Sequence, residues 1–332
     1  YSIQGNEATI LGCLSTCPQS LIIPDSIDDA PVRAIADSAF RELGIETVSL
    51  PDSLRTVGNH AFRGNLLTSI ELPTGLTELG SYAFYGNVIA GHVSIPSAIR
   101  MLQTRVFSGN DIASIALPEG LIEIGSEALS GNQLTDVRLP SSIEVIGSGA
   151  FRYNQLVEVE IPEKVSIVES SVFWGNSLES VSFPQGLIEV KGYAFYRNNL
   201  THIDLPNGLI GVGGLAFSRN QLASLELPAE VSVIGREAFQ YNKIDSLSLP
   251  SGVLELGDSA FADNIISDLS LNNGLLFLGQ YAFARNRISS VVVPSTLKRV
   301  NVGSFFLNPL SQVTVHEEVE EIDDFAFAGF ND

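Results

Sequence analysis

The chain has 332 residues, 45% of them hydrophobic and 17% charged, which excludes a disordered chain and allows a substantial core. Its 18 basic residues stand against 38 acidic ones, and the net charge of −20 argues against nucleic acid and anionic membrane surfaces as partners. No apolar run approaches the length of a transmembrane helix, so direct membrane insertion is not expected.

Residues 1–23 are irregular. Tyr1-Ser-Ile-Gln and Ala8-Thr-Ile-Leu flank Gly5–Asn6 and read as a small hairpin that caps the open edge of the first regular coil. Cys13 and Cys17 are the only cysteines. A redox or metal pair would need a histidine or further cysteine close by, and none is there. A disulfide closing the N-terminal cap is the expectation, and it favours an oxidising, extracellular or periplasmic setting. The abrupt start at Tyr1 is read as a leader removed upstream.

From residue 24 to 332 a period of 22 residues governs the chain. Proline recurs at Pro51, Pro73, Pro96, Pro118, Pro140, Pro162, Pro184, Pro206, Pro228, Pro250 and Pro294, with Asn272 and His316 in the same slot. Apolar residues alternate just before each proline, as at Ile70/Leu72 and Leu247/Leu249, which predicts a short strand with one buried face. A pair three apart (Leu209 and Val212), a glycine and an Ala-Phe pair come next. Three residues after the phenylalanine stands an asparagine, from Asn65 to Asn308, read as a buried ladder that satisfies turn backbone groups. A fixed period of this size predicts a repeat solenoid, in which each unit buries its apolar side against its neighbours.

The unit resembles the leucine-rich repeats of the BspA type, also called the Treponema pallidum type: Leu-x-x-Ile-x-Ile-Pro-x-x-Val-x-x-Ile-Gly-x-x-Ala-Phe, then cysteine or, as here, asparagine. The resemblance covers residues 20–330. It implies a leucine-rich-repeat arc of about 14 coils, mostly strand and turn with little helix, with the strands before the prolines forming one parallel sheet on the concave face. It also implies a secreted or surface-anchored bacterial protein that adheres to an extracellular protein or glycan.

Several coils break the pattern. One residue is inserted near Val88–Gly91, Gln103 and Val106 replace the usual glycine and alanine, and Glu169 and Val172 do so again beside Trp174, the only tryptophan. The last coil runs to Asp332 behind the acidic residues Glu317, Glu318, Glu320, Glu321, Asp323 and Asp324. These either cap the array or precede more chain, and the module is expected to be part of a longer protein.

Enzyme motifs are scarce. The four histidines lie in different coils, and His202 and Asp204 share a strand without an arranged nucleophile, so no catalytic function is expected. Two exposed columns remain. The strand column is serine-rich with acidic residues, including Asp136, Glu158, Glu160, Ser180, Ser182 and Asp204. Asp136, Glu158 and Glu160 are the candidate ligands of a calcium ion, the one cofactor considered; the plainer reading is a solvated sheet. The turn before the asparagine carries Arg63, Tyr85, Arg152, Tyr153, Trp174, Tyr196, Arg197, Arg219, Tyr241 and Arg285. Arginine and aromatic residues dominate interface hot spots, while the plainer reading has them draped over a turn. The expected binding face runs from Arg152 to Tyr241 with Glu158, Glu160 and Asp204 beside it. A spacer within a larger surface protein and a carbohydrate-binding module are the alternatives.

Overall fold

The computed structural model describes residues 1–329, so residues 330–332 of the predicted last coil lie outside it. The chain is a solenoid of parallel strands with the expected 22-residue period, and no helix forms among the described residues. It divides into two compact units, Tyr1–Leu156 and Val157 onward.

In the C-terminal unit each coil supplies two strand positions. The segments before the prolines pair in twos: Glu158–Glu160 with Ser180–Ser182, Ser246–Ser248 with Asp268–Ser270, and Ser290–Val293 with Gln312–Val315. Alternation places Val159, Leu247 and Val291 inward and their serine and glutamate neighbours in solvent. The longer ladder is elsewhere. Ile167–Val168, Glu189–Val190, Gly211–Val212, Val233–Ile234, Glu255–Leu256 and Phe277–Leu278 form one six-stranded parallel sheet. The expected parallel strands before the prolines are thus present, paired in twos rather than as one unbroken ladder. Between residues 201 and 206 that ladder loosens to bonds such as Ala223 N–H to Thr201 O at 3.3 Å. The second residue of each apolar pair three apart, such as Val212 or Ile234, forms this strand with the residue before it, and the glycine that follows lets the coils close up. A Cβ added to Gly235 would lie 2.5 Å from the backbone nitrogen of Gly214.

Phenylalanine fills the core. Phe173, Phe195, Phe217, Phe239, Phe261, Phe283 and Phe305 are fully buried. Successive rings stack 5.3–5.7 Å apart, which sets the step from coil to coil. The asparagine ladder is present. Asn220 donates through Nδ2 to the carbonyls of Phe195 (2.9 Å) and Phe217 (3.0 Å) and accepts at Oδ1 from the N–H of Leu200 (3.0 Å). In the irregular coil Val172 is buried and Glu169 accepts from Lys191 Nζ at 2.8 Å.

In the N-terminal unit Ser2–Gln4 and Glu7–Ile10 pair antiparallel. The intervening Gly5 and Asn6 both have positive φ (57° and 65°), the signature of a two-residue turn whose twist suits a hairpin. Glu7–Ile10 then runs parallel to Ala30–Ile35, which continues into Thr56–Val57 and Glu78–Leu79. A disulfide joins Cys13 and Cys17. A register shift between Ile112 and Ser114, where Asp111–Ala116 pairs with Ala90–Ser94, accompanies the inserted residue.

Candidate functional site

The turn that carries the arginine and aromatic residues is built by an alternation of backbone conformations. In the coil ending at Asn220, Leu215 and Arg219 are left-handed (φ 59° and 58°). The N–H groups of Leu215, Phe217 and Arg219 donate to the carbonyls of Arg236, Ala238 and Gln240 in the next coil. The stack thus imposes the left-handed conformation whichever residue occupies the slot. Glycine takes the position before the asparagine at Gly64, Gly86, Gly109, Gly131 and Gly175, where it is free of Cβ strain. Tyr153, Arg197, Arg219, Tyr241, Asp263, Arg285 and Leu307 occupy it at φ of 55–58°, a conformation that costs an L-residue about 1–2 kcal/mol.

This geometry separates residues that the sequence placed in one column. Arg152, Trp174 and Tyr196 come directly after the phenylalanine and are half-buried. Tyr153, Arg197, Arg219 and Tyr241 sit in the left-handed slot and are exposed, Tyr153 by 48% and Tyr241 by 41%. Arg152 and Tyr153 belong to the N-terminal unit, where the guanidinium lies 4.4 Å from the Tyr153 ring centre and donates to its hydroxyl at 2.9 Å.

The remaining expected residues belong to the C-terminal unit. Trp174 stacks on Tyr193 at 5.4 Å and meets Tyr196 edge-on at 5.6 Å. Arg197 lies over Tyr196 at 5.3 Å and Arg219 over Tyr241 at 4.5 Å, contacts worth about 0.5–1 kcal/mol at exposed sites. Tyr193, 39% exposed, completes the aromatic trio and is not singled out by the sequence. It stands three residues before Tyr196 in the other left-handed slot of the turn, a slot visible in sequence only as the residue preceding each alanine.

Glu158 and Glu160 are exposed on one strand, in register with Ser180 and Ser182. Asp204 Oδ1 lies 2.8 Å from His202 Nε2. Among the described residues, no hydrogen bond or ion pair links these acids to Arg197 or Arg219. No group of three or more His, Cys, Asp or Glu side chains among the described residues is placed to hold a metal ion. Asp136 lies in the N-terminal unit, Glu158 and Glu160 in the other.

The same turn in the N-terminal unit carries a second cluster. His60 stacks on Tyr82 at 4.7 Å, Arg63 lies over Tyr82 (5.8 Å) and Tyr85 (5.3 Å), and Arg105 over Tyr82 (5.7 Å) while pairing with Glu127 at 2.6 Å. Burial, then Arg63 and Arg41, lower the His60 pKa, with Asp37 opposing them.

A further surface is not evident from the sequence. Ile188, Ile210, Leu254 and Leu276 are exposed in coils of the six-stranded ladder, with Val233 and Phe277 beside them. Each of the first four stands one residue before its strand and is exposed to solvent.

Comparison with known proteins places the chain. The sequence model of the BspA type leucine-rich repeat region matches residues 33–156, 144–267 and 212–331. No curated protein matches. Among solved structures, a leucine-rich repeat protein from Bacteroides ovatus is similar at 20% identity and a TM-score of 0.66, covering 100% of this chain and 90% of its own. The pneumococcal vaccine antigen PcpA is similar at 19% identity and a TM-score of 0.60, covering 96% and 84%. These likenesses speak to fold. The family match extends over well more than half of the residues, and the chain belongs to the BspA-type leucine-rich repeats, a class of repeat that generally serves as a protein-binding scaffold and is typically non-catalytic.

Proposed function

We propose that this chain is a non-catalytic, extracellular binding and adhesion module that engages its ligand through the arginine–aromatic edge. One observation carries the reading: Arg197, Arg219 and Tyr241 occupy left-handed slots that other coils fill with glycine, and their side chains are exposed. Residues kept at a conformational cost in places where packing does not need them point to a surface role. The stacked rings and fixed turn make that edge rigid before contact, so little ordering entropy is lost on binding. The Cys13–Cys17 disulfide supports a secreted or cell-surface location.

The test is a binding screen of the chain against matrix proteins and a glycan array, with and without calcium. A variant carrying Arg152→Ser, Trp174→Ser, Arg197→Ser and Arg219→Ser runs beside it. A hit that the variant loses supports the edge. A hit that survives moves the site to the acidic strand residues Glu158, Glu160 and Asp204 or to the apolar row from Ile188 to Leu276. No hit in either form favours a spacer that holds other domains apart.

A further inference from the structure

Arg197 and Arg219 hold the same left-handed slot in successive coils of the C-terminal unit. Their coils are stacked directly on one another, with the core rings of Phe195 and Phe217 5.3 Å apart. The Arg197 N–H is committed to Ser218 O and the Arg219 N–H to Gln240 O, so the backbone cannot relax the two apart. Both side chains are exposed, and among the described residues neither has a carboxylate within ion-pair distance. Arg285 shows what neutralisation looks like in this column: Asp263, one coil earlier, takes its guanidinium through two contacts. Like charges side by side repel, and in a chain with 38 acidic residues none of the described ones pairs with these two arginines.

We propose that Arg197 and Arg219 clamp the acid group of an anionic polysaccharide, a carboxylate or sulfate, with its sugar rings against Tyr193, Tyr196 and Tyr241. This rests on the reading of the edge as the binding face. The tyrosines beside the pair favour a polysaccharide over an acidic peptide. The exposed tyrosines offer apolar ring surface to sugar C–H groups. Stacking on Tyr196 and Tyr241 restrains the two guanidinium groups before a ligand arrives.

The experiment measures binding of the whole chain to polygalacturonate and to dextran sulfate, with dextran as the neutral polymer and poly-L-glutamate as the acidic peptide. It is run at physiological ionic strength, where the chain's net negative charge is largely screened. Arg197→Gln with Arg219→Gln is the test variant, and Lys243→Gln controls for loss of surface charge. Polygalacturonate or dextran sulfate is expected to bind, which tells carboxylate from sulfate, while dextran and polyglutamate do not. The double variant is expected to bind about a hundredfold more weakly, and Lys243→Gln as the parent does. Arg219→Gly, which suits the left-handed slot, replaces the double variant if that variant loses its circular dichroism spectrum.

Polyglutamate binding as tightly as the polysaccharides overturns the glycan assignment and leaves the edge as a site for acidic protein. Unchanged binding in the variant overturns the arginine pair. If no anionic polymer binds while the fourfold edge variant still abolishes a protein hit, this inference fails alone. If neither binds, it fails together with the edge reading.

Discussion

Replacing Asn220 by alanine tests how much the asparagine ladder contributes. Its amide is 3% exposed and makes three hydrogen bonds, but their loss is not equivalent. The Phe195 carbonyl keeps Asn198 as a donor, and the Phe217 carbonyl keeps Asn242. The Leu200 N–H, by contrast, loses the acceptor that Oδ1 supplies. An orphaned buried donor costs about 1–3 kcal/mol, and each lost second bond to a carbonyl about 0.5–1 kcal/mol. The sum is about 2–5 kcal/mol for the C-terminal unit. Asn220→Asp goes further: it restores the acceptor for Leu200 but turns an oxygen toward two carbonyls. At pH 7 it is expected to be less stable than the alanine variant. Burial raises that carboxyl's pKa above its unfolded value, so the deficit closes as pH falls toward the ordinary carboxyl range. Denaturant unfolding followed by Trp174, the sole tryptophan, gives the stability, and amide exchange at Leu200 gives the local loss. A cost under about 1 kcal/mol with Leu200 still protected would refute the ladder as a source of stability, since water would then be replacing it.

Phe217→Ala is expected to cost about 3–5 kcal/mol, whereas Phe217→Leu should cost less than about 1.5 kcal/mol, because Leu129 fills the same slot fully buried; equal losses from both would show that ring stacking, not volume, holds the column. Gly235→Ala is expected to destabilise by about 1–3 kcal/mol, since its Cβ meets backbone at 2.5 Å, while Gly186→Ala, whose nearest neighbour is 3.9 Å away, is expected to be silent; thermal melts of the two decide it. His60 is expected to titrate below the ordinary 6.5 by NMR, and Arg63→Gln to bring it part of the way back, burial being the larger cause. With the folded pKa lowered, its contribution to stability is present above the ordinary value and is lost as pH falls through the folded one. A His60 that titrates at or above 6.5 would show the ring to be solvated.

The period and the core are legible because every buried slot repeats: Phe195, Phe217 and Phe239 declare one column without reference to a structure. What escapes is conformation. Arg152 and Tyr153 are neighbours in sequence, yet one is half-buried beside the core and the other is exposed in a left-handed slot. The same blindness hides Tyr193, whose place beside Trp174 depends on a positive φ that arginine, tyrosine and leucine do not advertise as glycine does. The strand at Gly211–Val212 looks like spacing between apolar residues because two residues are too few to show alternation. The paired arginines are visible only when charges are counted coil against coil.

The inter-coil bonds have a consequence for how the chain reaches its native state. Leu200 to Asn220 spans 20 residues and Phe195 to Asn220 spans 25. A typical separation of 22 in a chain of 332 gives a relative contact order of roughly 0.07, a value usual for helical bundles and low for strands. Parallel sheets ordinarily fold slowly because distant segments must find one another. Here each coil waits only for the one before it, so the rate-limiting step is the first few coils, and adding coils to the array lengthens the product without slowing its start.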